Sequence, residues 1–103
     1  MAIYHVPSAD FILSAPISGD GGSDQVSRYM RSYYVRAASV EDAGDIVRED
    51  GGREGAVVVE MAPPKLRHPS DLPLWLRARL VFNRGRGVSW RSGRAFYPQE
   101  DGS

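Results

Sequence analysis

Polar and apolar positions are most clearly patterned between Tyr29 and Ala37. Tyr29, Tyr33, Val35 and Ala37 fall on one parity there, and Met30, Tyr34 and Arg36 on the other. The segment is rich in strand formers and both its faces are partly apolar, so it predicts a central strand. At Ser39 the period changes from two to about 3.6. Val40, Ala43, Ile46 and Val47 recur at helical spacing, and Glu41, Asp42, Asp45, Arg48 and Glu49 take the other side. Ser39 stands where an N-cap belongs, with Asp42 at the third helical position as a short variant of the capping box. Glu41, Asp42 and Asp45 occupy the first two turns, where the helix dipole favours negative charge. The Gly51-Gly52 pair predicts the left-handed stop. Beyond it, Val57, Val58 and Val59 form a β-branched run of the kind found in buried strands, ended by Pro63-Pro64. Strand, helix and strand over residues 29–61 make one right-handed β-α-β unit, its strands parallel and with room for a third between them.

Either side of this unit the pattern is more broken. Residues 3–6 and 11–13 are short apolar patches split by Pro7-Ser8, and each suits a short edge strand. Residues 14–25 are dense in Ser, Gly, Pro and Asp and predict a flexible loop. Residues 71–82 satisfy two periods. As a helix they group Leu72, Trp75, Leu76 and Leu80, with Ser70 as cap; as a strand they group Leu74, Leu76, Ala78, Leu80 and Phe82. The Leu, Ala and Arg content and the start signals favour the helix. Val88 to Trp90 and Ala95 to Tyr97 flank Arg91-Ser92-Gly93-Arg94, a hairpin signal that would set Val88, Trp90, Ala95 and Tyr97 on one apolar face. Residues 99–103 read as a disordered polar tail.

Together these elements predict one α+β domain spanning residues 1–103. Its small mixed sheet should hold four to five strands, with one or two helices packed on one face, in a ferredoxin-like or split β-α-β arrangement. The 103 residues suffice for one modest core. With no cysteine there can be no disulfide framework, thiolate nucleophile or cysteine-ligated zinc, and a reducing, cytoplasmic compartment is expected. No stretch is long and apolar enough for a membrane span, and the N-terminus lacks the pattern of a signal peptide. Arginine outnumbers lysine twelve to one, a bias common in high-GC bacterial genomes.

Charge adds the most informative feature. The formal net charge of zero divides into −5 over residues 1–64 and +7 over residues 65–94, with Glu100 and Asp101 closing the balance. The basic segment holds Lys65, Arg67, Arg77, Arg79, Arg84, Arg86, Arg91 and Arg94 against Asp71 alone. Trp75, Phe82, Trp90, Phe96 and Tyr97 are interleaved with these cations, which couples phosphate-neutralising charge to stacking surface. Arg91 and Arg94 would face each other across the expected hairpin, and that needs an acid or an anion between them. Overall neutrality favours arginines paired with the acidic half of the same fold.

Catalytic and ligand-binding motifs fail on inspection. Gly85 and Gly87 supply two glycines of a dinucleotide loop, but Trp90 stands where the third belongs. Asp20 to Asp24 resembles the start of a calcium loop, yet Gly22 replaces a ligand and Arg31 stands where the closing glutamate is required. His5 and His68 have no ligand-spaced companion, and no serine lies in a nucleophile elbow. No catalytic residue, metal or cofactor is therefore expected. The expected function is a small bacterial cytoplasmic protein-binding module, in its most concrete form an immunity or antitoxin-type inhibitor that binds a partner protein such as a toxin through complementary charge. Its contacts would be the acidic helix residues Glu41, Asp42, Asp45 and Glu49, or the arginine hairpin with Arg91 and Arg94. The alternative is a nucleic-acid-binding accessory protein using Arg77, Arg79, Arg84, Arg86, Arg91 and Arg94.

Overall fold

The structure, a computed structural model, describes residues 1–13, 28–82 and 84–96. The expected 14–25 loop, Tyr97 and the 99–103 tail lie outside the described residues.

Strand β1 (Ala2–Leu13) is one twelve-residue strand where two short edge strands were expected. It lies inside the sheet. β2 (Arg28–Ala37) pairs along one edge, and β3 (Ala56–Met61) and β4 (Lys65–Arg67) pair in succession along the other. The two apolar patches look separate because Pro7 and Ser8 form an irregularity between Val6 and Ala9. A proline cannot donate to a ladder, and a bulge is the feature that lets a central strand contain one. The bulge also exchanges the parities: Tyr4 and Val6 before it and Ala9 and Phe11 after it all enter the same core.

Across β2, β5 (Gly87–Arg91) and β6 (Ala95–Phe96) pair with residues 33–36 and 29–30. All pairings are antiparallel and the order is β3-β1-β2-β5, with β4 beside β1 and β6 beside β2. The expected hairpin at Ser92-Gly93 does not form. β5 and β6 run in the same direction along β2, and Ser92 holds the break between them by donating its backbone N–H to Ser32 O (2.9 Å) and accepting the Ser32 N–H on Oγ (2.9 Å). An irregularity between Tyr34 and Val35 separates Val88 from Trp90, so these two do not share a face. Val88 packs with the first core and Trp90 with a second.

The β-α-β unit is present in its split form. β2 and β3 are each antiparallel to β1, which lies between them, and α1 (Val40–Arg53) connects them. Ser39 caps α1 by accepting the Asp42 N–H at 3.0 Å, and Asp42 reaches back to the Ala38 N–H at 3.0 Å. Ala43, Ile46 and Val47 bury against Tyr4, Val6, Phe11, Tyr33 and Val35, forming the main core. The triple valine belongs to an edge strand and not a buried one. Val58 packs on the core while Val57 and Val59 are exposed.

Within the segment 71–82 the helix forms, as its propensities favoured, but it begins at Leu74: Leu72 is extended, and Ser70 belongs to a separate 3-10 turn and does not cap it. α2 spans Leu74–Phe82 after a 3-10 turn at Pro69–Asp71, and Leu72, Leu76 and Leu80 pack with Ile3 in the second core. Ile3 and Tyr34 alternate with Tyr4, Tyr33 and Val35, so α2 covers the sheet face opposite α1. Among the described residues the architecture is thus α+β, a six-stranded antiparallel sheet with one α-helix on each face.

Gly51 does not end α1. The helix runs on to Arg53, and the left-handed turn comes at Gly55, where φ is +76°. Gly51 is needed for closeness: a Cβ there would fall 2.4 Å from Phe11 Cε1. Phe11 is fully buried and stacked on Tyr29 at 5.1 Å, so it has little room to yield. Gly51→Ala should therefore destabilise by about 1–3 kcal/mol although alanine is the better helix former. Gly52→Ala, with open space around it, should stabilise by about 1 kcal/mol. Urea denaturation of the two variants distinguishes tight packing from helix termination as the reason for the pair.

Candidate functional site

The charged side chains divide into two groups by face. On the α1 face they form a closed lattice. Asp50, one turn before the end of α1, is 7% exposed and accepts from the Tyr33 hydroxyl at 2.8 Å and from Arg91 Nη1 at 2.7 and 2.8 Å. Glu54, the C-cap residue, pairs with Arg31, Arg91 and Arg94. The acid required between Arg91 and Arg94 is therefore Glu54, supplied by the helix end and not by a hairpin partner. Arg94 also lies over the Tyr29 ring, 5.0 Å from its centroid. Nearer the helix start, Arg86 pairs with Asp42 at 2.8 Å and with Glu49 at 3.6 Å. Arg86 and the Ala38 N–H together hold the Asp42 carboxyl below the usual carboxylate range.

Most of the contact residues expected for a partner are engaged within this lattice. Asp42, Glu49, Arg91 and Arg94 pair across the fold, Asp45 pairs with Arg48 along the exposed side of α1, and Glu41 stays exposed. Of the expected nucleic-acid contacts, Arg86, Arg91 and Arg94 are engaged in the same way. Arg77, Arg79 and Arg84 form no ion pair among the described residues.

On the α2 face lies a groove of about 950 Å³. Ile3 and Leu80 form a buried aliphatic floor, Leu66 and Val81 are exposed at its edge, and Arg36, Arg67, Arg77 and Arg84 also line it. Arg36 and Arg67 come from strands on either side of β1 and meet because Ile3 pairs with both of them. Neither makes an ion pair among the described residues, and the Nε of each is buried without a hydrogen-bond partner. Arg36 donates from Nη2 to Leu80 O at 3.2 Å, near the end of α2, and Arg84 donates from Nε to Val81 O at 3.2 Å. Among the described residues, Asp71 is the one acid in the lining.

Both histidines have structural partners. His68 accepts the Ser70 N–H at 3.2 Å on Nδ1 and so caps the 3-10 turn beside the groove. His5 stacks on Tyr34 at 4.5 Å, and its pKa is lowered first by burial and then by Arg67 and Lys65. This second cause registers the uncompensated positive charge of the same face. Among the described residues no group of three or more His, Asp or Glu side chains is placed to hold a metal, and no helix is long and apolar enough to cross a membrane.

Arg36 was absent from the sequence candidates, and Arg67 appeared there only as one of a run of cations. Their convergence on Ile3 is a matter of strand register and leaves no local signal. No family model, curated protein or solved structure matches this chain, so its chemistry is read from these residues alone.

Tyr33 reports on the lattice. Burial, and then its bond to the Asp50 carboxylate, raise its pKa above the ordinary 10.0. A raised pKa in the folded state gives a contribution that is intact below pH 10 and lost as the pH climbs beyond it. Tyr33→Phe should cost roughly 1–3 kcal/mol near neutral pH, because it removes one bond from a buried carboxylate. The gap between wild type and Tyr33→Phe, measured by urea denaturation, should then stay constant up to about pH 10 and narrow steadily as the pH rises beyond it.

Proposed function

We propose that this protein is a protein-binding module that recognises an acidic partner by charge complementarity, through the arginine-ringed groove on its α2 face. The supporting observation is the unequal fate of the arginines. Arg31, Arg86, Arg91 and Arg94 are neutralised by the protein's own acids on the α1 face, while Arg36, Arg67, Arg77 and Arg84 surround one concavity and form no ion pair among the described residues. Arg36 and Arg67 each bury an Nε that has no partner, a cost that a ligand bearing carboxylates would offset while also pairing with the exposed Arg77 and Arg84. The aliphatic floor adds a preference for apolar side chains between those carboxylates. An immunity or antitoxin-type inhibitor of a bacterial toxin, working in the cytoplasm, is the concrete form of this proposal. It moves the contact surface from the acidic helix to the opposite face.

A second possibility, nucleic-acid binding, draws support from Arg77, Arg79 and Arg84 on the same face as the exposed Trp75 and Phe82. Single-stranded binding sites rely on aromatic platforms for the bases, and among the described residues no Phe, Tyr or Trp lines the groove. The peptide-binding proposal is favoured for that reason.

Fluorescence anisotropy across a salt series separates the two, using a glutamate- and leucine-containing peptide and an oligothymidylate of equal charge. The peptide should bind more tightly, should weaken as salt rises, and should lose roughly ten-fold in affinity with Arg84→Glu. Tighter binding of the oligothymidylate would put nucleic acid in the partner's place, and no binding of either at low salt would remove both.

A further inference from the structure

Helix α2 is apolar on two opposite sides. Leu76 and Leu80 face the sheet and are buried. At about 100° per residue, Leu74, Trp75, Ala78, Val81 and Phe82 fall within an arc of roughly 120° on the other side. The large members of that arc are Leu74, 76% exposed, Trp75, 53%, Val81, 57%, and Phe82, 87%. Arg77 borders the arc on one side and Arg79 on the other, both exposed and neither in an ion pair among the described residues. Scattered exposed hydrophobes are ordinary on a protein surface, but four large ones contiguous on a single nine-residue helix form a patch of the kind that marks an interface.

Building on the proposal of an acidic protein partner, we infer that the outward stripe of α2 is the docking surface for an amphipathic helix of that partner, whose apolar ridge is flanked by carboxylates. The stripe supplies the apolar centre, and Arg77 and Arg79 supply a cationic border on each side, the complement of such a helix. Trp75 is a pre-positioned anchor, because its ring is held edge-on against Trp90 with centroids 5.7 Å apart. A second copy of this chain is the poorer occupant. No acid occurs between residues 72 and 96, so two copies meeting through α2 would set arginines against arginines. A membrane surface is poorer as well, because the stripe adjoins the groove, which shares Arg77 and Val81 with α2. A ridge beside a concavity suits a convex element better than a plane.

The test uses the full chain carrying Trp90→Phe, which leaves Trp75 as the only tryptophan and keeps an aromatic ring beside it. The probe is a synthetic helical peptide with leucines along one face and glutamates on both borders. A second peptide of the same composition, scrambled to break the stripe, serves as the control. The helical peptide should shift Trp75 emission to the blue, and Phe82→Ser or the pair Arg77→Glu and Arg79→Glu should weaken it roughly ten-fold. Equal binding of both peptides with Trp75 emission unchanged, abolished by Arg84→Glu, would confine the partner to the groove and overturn this inference while leaving the proposed function standing. Failure of both peptides to bind would overturn the two together. A blue shift produced by phosphatidylserine vesicles but not by the peptide, or by raising the protein concentration alone, would replace the helix with a membrane or a second copy.

Discussion

The fold depends on a single constraint, that β1 is paired along both of its edges for nearly its whole length. One strand carries the ladders to β2, β3 and β4, and it also contributes side chains to both cores. A strand with such a role and a proline in the middle needs a register shift, and the bulge between Val6 and Ala9 provides it. With the parities exchanged there, Tyr4, Val6, Ala9 and Phe11 form one continuous apolar surface for α1. Ile3, on the opposite parity, remains free to anchor Leu72, Leu76 and Leu80 beneath α2.

From that arrangement follows the separation of charge. The last turn of α1 brings Asp50 and Glu54 over β2 and the β5-β6 strand, where Arg31, Arg91 and Arg94 converge on them. These acids receive donors at the end of a helix whose dipole itself favours cations nearby, so arginines close the site from several directions. A buried carboxylate such as Asp50 is tolerable because a hydroxyl and a guanidinium satisfy it. The groove on the opposite face has Asp71 as the one acid among the described residues that line it. Arg36 and Arg67, brought together across Ile3, are left with partly buried charge and orphaned Nε atoms. A chain neutral as a whole is therefore strongly polarised between its two sheet faces.

Polarisation of this kind is what the proposed binding role rests on. The groove combines an aliphatic floor with a cationic rim, and the adjoining helix presents a second apolar surface with arginines beside it. In the proposed role, both surfaces would take a ligand that is apolar along a line and acidic at its margins. The crowding of arginines into residues 65–94 thus acquires a direction: Arg86, Arg91 and Arg94 are turned to the protein's own acids, while Arg67, Arg77, Arg79 and Arg84 form no ion pair among the described residues.

Elements whose formation is local were legible in the sequence. The parity of Tyr29, Tyr33, Val35 and Ala37, the Ser39 cap with its Asp42 return bond, and the helical spacing of Ala43, Ile46 and Val47 are all present as read. Each depends on neighbours within a turn or two of chain, and the split β-α-β unit follows from them. Misreadings occurred where a distant segment decides. Gly51-Gly52 looks like a terminator until Phe11 arrives beside it. Ser92-Gly93 looks like a hairpin turn until β2 offers a longer edge on which β5 and β6 can continue. Val57 to Val59 look buried until the strand order leaves them at an edge. The charges follow the same division. Composition alone determined that acids and arginines would balance, but only tertiary structure decided which arginines meet an acid. Ion pairing depends on a few ångströms across the fold, and that distance is set by strand register and helix placement rather than by position along the chain.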